Sequence, residues 1–159
     1  MILTCTGTPG TGKTELCKEL AKQLKVKYVD VNKIIDKYKL AESYDAARET
    51  MVVDERKLAK ALVALIRKGT SMIIDSHMAH EIPAKHVDWC IVTKCDPCVL
   101  RKRLERKGYP KEKVQENLDA EILDICRSEA EQKGHKTIVV DTTRQNAKRL
   151  AVRLKKLFS

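Results

Sequence analysis

The chain has 159 residues, which suits one domain and is enough to bury a hydrophobic core. Hydrophobic residues make up 43% of it and charged residues 34%, and no apolar run is long enough to cross a bilayer, so the composition argues against a disordered chain and against a membrane protein. The net charge of +10 favours acidic partners such as RNA, ribosomal particles or nucleotides, although a lysine-rich solvated surface gives the same charge. We expect a cytoplasmic protein, because the first strand pattern starts at the N-terminus without a cleavable signal.

Short apolar segments alternate with amphipathic ones along the chain, which is typical of an α/β fold. The apolar segments lack strict alternation with polar residues, and this predicts a parallel sheet with helices on both faces and ligands at the carboxyl ends of the strands. The predicted strands span residues 2–6, 27–31, 71–75, 89–93 and 137–141. The predicted helices span about residues 13–24, 32–38, 54–67, 97–107, 112–133 and 143–157, the last one capped from the segment Asp141-Thr142-Thr143. We expect residues 39–53 and 107–111 to be irregular.

The first predicted strand leads directly into Gly7-Thr-Pro-Gly-Thr-Gly-Lys13-Thr14, which fits the pattern G-x-x-x-x-G-K-[ST]. Its glycines allow backbone angles that turn successive N–H groups inward around a polyphosphate, and the start of the next helix adds further amides. Lys13 is placed to reach the β- and γ-phosphates, and the Thr14 hydroxyl is placed to coordinate magnesium. The residues predicted to hold the triphosphate of ATP are Gly10, Thr11, Gly12, Lys13, Thr14 and Glu15.

A carboxylate, Asp75, ends the apolar run that begins at Met72. In a P-loop protein such a residue orients magnesium through water, so we predict that Asp75 acts opposite Thr14. His77 follows two residues later and would project to the same side of an extended segment, where it could position or activate a water or hydroxyl near the γ-phosphate. The alternatives are a capping role for Asp75 and a structural role for His77.

A group of cations lies on the helix predicted after the fourth strand. Arg103 and Arg106 are three residues apart and share a helix face, and the helix ends at Gly108. A lid that carries arginines over a transferring phosphoryl group excludes water and neutralises developing charge, so we predict that Arg106 binds ATP and takes part in catalysis. A solvated basic helix end is the alternative.

Two other motifs carry less weight. Cys95-Asp-Pro-Cys98, with Cys90 and His86 upstream, could indicate zinc, but no second C-x-x-C pairs with it, and reduced cysteines are the simpler expectation. Thr93-Lys-Cys-Asp96 is similar to a guanine-recognition motif, but a GTPase would need Asp-x-x-Gly where this chain has Asp75-Ser-His-Met78.

Taken together, these motifs resemble the adenylate kinase isoenzyme 6 family, and the resemblance covers nearly the whole chain. It implies a P-loop nucleoside monophosphate kinase-like fold, a three-layer α/β sandwich with a five-stranded parallel sheet, in a single domain of residues 1–159. The monophosphate-binding region would be about residues 30–53 and the lid about residues 105–115. The Asp-x-His element is the most specific match. The segments that carry the resemblance are residues 7–14, Tyr28-Val-Asp-Val31, Tyr44-Asp45, Val53-Asp54-Glu55, Asp75-Ser-His77 and residues 103–109.

The resemblance also implies an activity, namely phosphoryl transfer from Mg-ATP to AMP to give two ADP, by a broad-specificity adenylate kinase with ATPase activity. An alternative from the same family is an ATP-hydrolysing assembly factor for the small ribosomal subunit, with a small-subunit ribosomal protein and pre-ribosomal RNA as partners. A kinase for another small acceptor is a third possibility. The catalytic residues would be Lys13, Asp75, His77 and Arg106, the magnesium residues Thr14 and Asp75, and the monophosphate-binding residues Asp30, Tyr44, Arg48 and Asp54.

Overall fold

The computed structural model describes residues 1–47 and 50–159. The strands are β1 (Ile2–Thr6), β2 (Lys27–Asp30), β3 (Ala41–Asp45), β4 (Thr50–Val53), β5 (Met72–Asp75), β6 (Trp89–Lys94) and β7 (Thr137–Asp141). The helices are α1 (Lys13–Leu24), α2 (Val31–Lys37), α3 (Glu55–Ile66), α4 (Pro97–Arg106), α5 (Lys111–Ile122), α6 (Ile125–Gln132) and α7 (Ala147–Phe158). Two short 3₁₀ turns cover Ala79–Glu81 and Ala84–His86. Within residues 1–47 and 50–159, no helix is long and apolar enough to span a membrane.

In the described part of the chain, five strands form one parallel sheet in the order β2-β5-β1-β6-β7. The central strand β1 pairs with β5 and β6, with Cys5 opposite Asp75 on one side and opposite Ile91 on the other. Strand β2 pairs with the far side of β5, where Asp30 is opposite Asp75. The carboxyl ends of these strands therefore meet at one edge of the sheet, as the sequence predicts.

Helices pack on both faces of this sheet, which confirms the predicted three-layer α/β architecture. On one face, Leu3, Cys5 and Ile73 pack against α1 and α7. On the other face, Met72 and Ile74 pack against α3. Alternate residues of β5 thus enter opposite cores, and this explains why its sequence is apolar throughout. A third cluster joins α4 to α5 beside the carboxyl edge through Leu100, Leu104, Val114 and Leu118.

The predicted helix over residues 112–133 is two helices, α5 and α6. The break lies at Asp124, whose φ of 55° is in the left-handed region that ends helices. The Lys94 ammonium at the end of β6 lies 2.7 Å from a Glu121 carboxylate oxygen and 2.9 Å from one of Asp124. The ion pairs therefore anchor the break to the sheet, through a contact that the helical periodicity of the sequence does not reveal.

Part of the segment expected to be irregular, residues 39–53, forms the antiparallel hairpin of β3 and β4, with Tyr44 opposite Met51. Its strands lack the apolar signal of a buried strand because Tyr44, Met51 and Val52 are exposed. Arg48, which we predicted to bind the acceptor phosphate, lies outside the described residues.

The last helix begins at Ala147, four residues later than predicted. Its N-cap is Asn146, whose side-chain oxygen accepts the Arg149 amide at 2.9 Å. The predicted capping residue Thr143 instead uses its hydroxyl to accept the Asp96 amide at 2.9 Å, so it ties β7 to the start of α4.

Replacing Asn146 by alanine tests this assignment. We expect Asn146→Ala to lower the free energy of unfolding by about 1 kcal/mol, because an N–H at the start of α7 loses its acceptor. Lys148→Ala, on the exposed side of the same helix, is the matched control and should leave stability nearly unchanged. Urea denaturation measures both, and equal values for the two variants would contradict the capping role.

Candidate active site at the carboxyl edge of the sheet

The loop between β1 and α1 is fixed by close contacts that only glycine permits. At Gly7, with a φ of 148°, an added Cβ would lie 2.2 Å from the Thr93 hydroxyl of β6. At Gly10, with a φ of 90°, it would lie 2.8 Å from a methyl carbon of Leu104 on α4. The loop is therefore clamped between the end of β6 and α4, and any side chain at either position would displace it.

Hydrogen bonds of Thr11 stabilise this loop on the side that is buried in the protein. Its side chain is fully buried, its hydroxyl donates to the Thr8 carbonyl at 2.7 Å, and its oxygen lies 2.7 Å from the Thr93 hydroxyl. Its backbone N–H also faces the Thr8 carbonyl, at 3.2 Å. Thr11 was predicted to hold ATP, but in the structure its side chain supports the loop and points away from the cleft.

The Asp75 carboxylate lies buried at the end of β5, between two side chains. Lys13 Nζ is 3.9 Å from its Oδ1, and the Tyr28 hydroxyl donates to its Oδ2 at 2.8 Å. Partial burial of Tyr28 and its hydrogen bond to Asp75 raise the pKa of the phenol above the usual tyrosine range. The phenol therefore remains a hydrogen-bond donor at any physiological pH. No motif in the sequence indicates this role of Tyr28.

A cleft of about 1120 Å³ opens above the loop, between α1, α4, α5 and the start of α7. Among the described residues, cations clearly outnumber anions along its walls. The lining cations are Lys13, Lys18, Arg103, Arg106, Lys107 and Lys113, and the lining anions are Glu15 and Glu116. Charge of one sign concentrated in a concave site attracts a ligand of the opposite sign, so the cleft suits a polyphosphate.

Arg103 is tied to the phosphate loop through Thr142. Its guanidinium donates to the Thr142 carbonyl at 2.9 Å and to the Thr142 hydroxyl at 3.3 Å. The Thr142 hydroxyl in turn lies 2.5 Å from the Thr11 carbonyl. Arg106, one turn further along α4, is exposed and lines the cleft. Arg103 was not among the predicted site residues, although its shared helix face with Arg106 was the available signal.

His77 lies on the wall of the cleft and faces Lys13. Its ring is open to the cleft, but the surrounding protein displaces much of its water. This desolvation, together with the charges of Lys13, His80 and Lys113, lowers the pKa of His77 to about 4. The imidazole is therefore neutral near pH 7 and has one nitrogen that accepts a hydrogen bond. The Thr6 hydroxyl donates to the His77 carbonyl at 2.9 Å and so fixes the backbone there.

Comparisons with known proteins identify the family of this site. A family model described as an AAA domain matches residues 3–124. The chain is 36% identical over 150 residues to a Methanocaldococcus jannaschii protein named "Putative adenylate kinase", covering 94% of this chain and 81% of that protein. It is 38% identical over 137 residues to the Saccharomyces cerevisiae protein named "Adenylate kinase isoenzyme 6 homolog FAP7", covering 86% of this chain and 69% of that protein. The chain belongs to the adenylate kinase isoenzyme 6 family.

Solved structures share the fold of this family member. A shikimate kinase from Acinetobacter baumannii in complex with shikimate superposes with a TM-score of 0.70 at 17% identity, covering 99% of this chain and 92% of that one. The YorR protein from Bacillus subtilis in complex with phosphorylated GDP gives a TM-score of 0.68 at 19% identity, covering 99% and 95%. At such low identity the likeness concerns the fold alone, and it confirms the predicted P-loop kinase fold.

Three of the predicted monophosphate-binding residues, Asp30, Tyr44 and Asp54, are not among the residues that line the cleft. Asp30 caps α2 by accepting the Asn32 amide at 2.9 Å. Asp54 caps α3, and its hydrogen bonds from the amides of Lys57 and Arg56 lower the pKa of its carboxyl. Tyr44 is 62% exposed on β3. The two carboxylates therefore already have structural partners.

The hydroxyl of Tyr28 provides a spectroscopic test of the Asp75 site. The chain has four tyrosines, and ultraviolet absorbance at high pH should show one of them ionising well after the rest. The pKa of Tyr28 is raised because its phenolate would be poorly hydrated and would be repelled by the Asp75 carboxylate. We expect Tyr28→Phe to remove the late step and the matched variant Tyr38→Phe to keep it. A late step that survives Tyr28→Phe would contradict the assignment.

Proposed function

We propose that this chain transfers the γ-phosphoryl group of Mg-ATP to AMP and gives two ADP. By its family it is an enzyme of the nucleoside monophosphate kinase class. The observation that carries the proposal is the cation-lined cleft at the carboxyl edge of the sheet, where Arg106 and Lys13 line the walls and Lys13 Nζ lies 3.9 Å from the buried Asp75 carboxylate. The names of the relatives from Methanocaldococcus and yeast support adenine as the base.

In this proposal the chain binds and neutralises phosphates and needs no covalent intermediate. Lys13 and the amides of the glycine loop hold the triphosphate, and Arg106 faces the transferring group from α4. Arg103, held by Thr142 against the loop, adds a second fixed positive charge. Such prearranged charges lower the barrier because they need no reorganisation as negative charge develops.

The donors at the start of α1 fit a magnesium ion. Thr14 is exposed and lines the cleft, and the Asp75 carboxylate lies beside Lys13 of the cleft wall, so both offer oxygen donors of the kind that magnesium prefers. The described residues contain no group of three or more His, Cys, Asp and Glu that could hold another metal. Because Tyr28 and Lys13 already face the two carboxylate oxygens, we assign Asp75 to contact through water. Magnesium bound with ATP supplies positive charge to the phosphates.

We assign acceptor binding to residues 30–53 and closure of the cleft to a lid at residues 105–115, in a single domain of residues 1–159. The lid assignment is supported by Lys107, Tyr109 and Lys113, which line the cleft beyond the end of α4. Lys113 Nζ lies 4.0 Å from the centre of the Tyr109 ring, so a cation–π contact joins the two side chains. In the acceptor region, Asp30, Tyr44 and Asp54 would contact AMP only after the α2 and α3 ends or the hairpin approach the cleft.

A titration of AMP against ADP output tests the kinase directly. We expect ADP formation from ATP to depend on AMP, and Lys13→Ala to reduce it by about 10²-fold or more because a charge needed by the transition state is lost. Lys22→Ala removes the same charge from the far end of α1 and should be nearly neutral. If added AMP gives no increase in ADP formation over the rate with ATP alone, the kinase proposal is contradicted.

Hydrolysis of ATP is the second candidate, favoured by the neutral imidazole of His77 at the cleft. We infer that His77 accepts a hydrogen bond from an attacking water, while the rest of the site holds ATP in the same way. In this role the chain would be an assembly factor for the small ribosomal subunit, with a ribosomal protein and pre-ribosomal RNA as partners. The net charge of +10 supports an acidic partner.

The two activities separate at His77. We expect His77→Ala to reduce ATP hydrolysis by about 10²-fold and AMP phosphorylation far less, because the attacking phosphate oxygen of bound AMP is already ionised and is positioned by its own contacts. His86→Ala, outside the cleft, is the control.

Phosphate release measured with and without small-subunit RNA or ribosomal protein tests the assembly role. Equal losses in both activities would count against the role of His77, and no stimulation by either partner would count against the assembly role.

A further inference from the structure

A buried histidine, His80, contacts the strand that leads into the phosphate loop. It lies on the 3₁₀ turn Ala79–Glu81 and is 4% exposed. Its Nδ1 is 3.1 Å from the Thr6 hydroxyl oxygen, and its Nε2 is 2.9 Å from a carboxylate oxygen of Glu129 on α6. Thr6, fully buried at the end of β1, also donates to the His77 carbonyl at 2.9 Å. These contacts form a continuous path from α6 to the backbone of His77.

The path contains more hydrogen bonds than a neutral His80 can supply. The three contacts are Glu129 to His80, His80 to Thr6, and Thr6 to the His77 carbonyl, and each needs one proton. The Thr6 hydroxyl supplies one proton and a neutral imidazole supplies one. Only a second proton on the His80–Glu129 pair completes the set. Without it, His80 Nδ1 and the His77 carbonyl compete for the single hydroxyl proton of Thr6.

We propose that His80 is a positioning residue for His77, since it sets the direction of the Thr6 hydroxyl and thereby how firmly the His77 carbonyl is held beside the phosphate loop. The proposal deepens the proposed role of His77 in ATP hydrolysis and depends on it. It assigns a function to a buried histidine that does not line the cleft.

The groups around His80 allow its imidazole to bind and release a second proton. Glu129 and Glu81 face its Nε2 at 2.9 and 3.5 Å, and Lys133, directly after α6, pairs with Glu81. The ring of His135 contacts the His80 carbonyl at 3.1 Å. Burial lowers the pKa of His80, and the two carboxylates act in the opposite direction. As the pH rises through that pKa, the His77 carbonyl loses exclusive use of the Thr6 proton.

Removing the Thr6 hydroxyl is the most direct test. We expect Thr6→Val to lower kcat for ATP hydrolysis roughly three- to tenfold, with KM for ATP unchanged, because the ligand contacts remain while one hydrogen bond that positions His77 is lost. Thr4→Val is the matched control, since Thr4 is also a fully buried threonine of β1 but takes no part in the path. Equal kcat values for the two variants would overturn the proposal.

Two variants of His80 separate positioning from packing. His80→Asn keeps an N–H donor near the Nδ1 position and does not titrate, so it should retain the kcat of hydrolysis and lose the decline at rising pH that we expect of the wild type. His80→Leu keeps the volume and removes the acceptor that competes for the Thr6 proton, so it should lose this decline as well. A decline at rising pH that persists in either variant, or a loss of kcat at every pH in both, would refute the proposal.

Hydrogen exchange keeps this inference distinguishable from the proposed function. The amides of Ser76, Met78 and Ala79 are hydrogen-bonded around His77, at 3.2, 3.0 and 3.1 Å. Thr6→Val should speed their exchange severalfold in the protein without nucleotide, whereas Thr4→Val should not. If the wild type hydrolyses no ATP but this contrast is seen, the hydrolytic function fails and the positioning by Thr6 stands. If the two variants exchange alike, the positioning fails whatever the activity.

Discussion

The buried carboxylate of Asp75 is the group on which the geometry of the site depends. A buried charge is costly unless an opposite charge and hydrogen bonds compensate it, and here Lys13 and Tyr28 supply both. These three side chains come from α1, β2 and β5, so one electrostatic requirement aligns the start of the phosphate helix with two neighbouring strands. The Lys13 ammonium is thereby held at the mouth of the cleft before any ligand arrives. A phosphate that enters the cleft meets a cation already in place, and little reorganisation is needed.

The sequence predicted the parts of the site that are local. The phosphate loop, the strand that ends in Asp75 and the position of His77 follow from short motifs whose geometry is set by neighbouring residues. Tyr28, Arg103 and His80 contact partners that are distant in the chain; Arg103 and Thr142, for example, are 39 residues apart. These contacts depend on strand order and register, which no motif encodes. Asp30 and Asp54 show the converse problem. An aspartate at the end of a strand is equally suited to bind a ligand and to cap the next helix, and the structure uses both residues as caps.

The errors in the predicted secondary structure also arise where distant contacts or exposure override the local pattern. Residues 112–133 have continuous helical periodicity, so the break at Asp124 is decided by the Lys94 ammonium of β6 and cannot be seen in the local pattern. The hairpin of β3 and β4 was missed because its side chains are largely exposed and leave no apolar signature. Where burial and local propensity agree, as in β1 and α1, the predicted bounds equal those in the structure.

The contact between Gly10 and α4 has a mechanical consequence. An added methyl group at Gly10 would clash with both Leu100 and Leu104. The loop therefore packs directly against the helix that bears Arg103 and Arg106. A movement of α4 towards the loop would therefore displace the loop as well. Gly108, by contrast, has open space around it within the described part of the chain and a φ of 73°. Packing therefore couples the position of the two arginines to the shape of the loop, and it places no such restraint on the turn that follows α4.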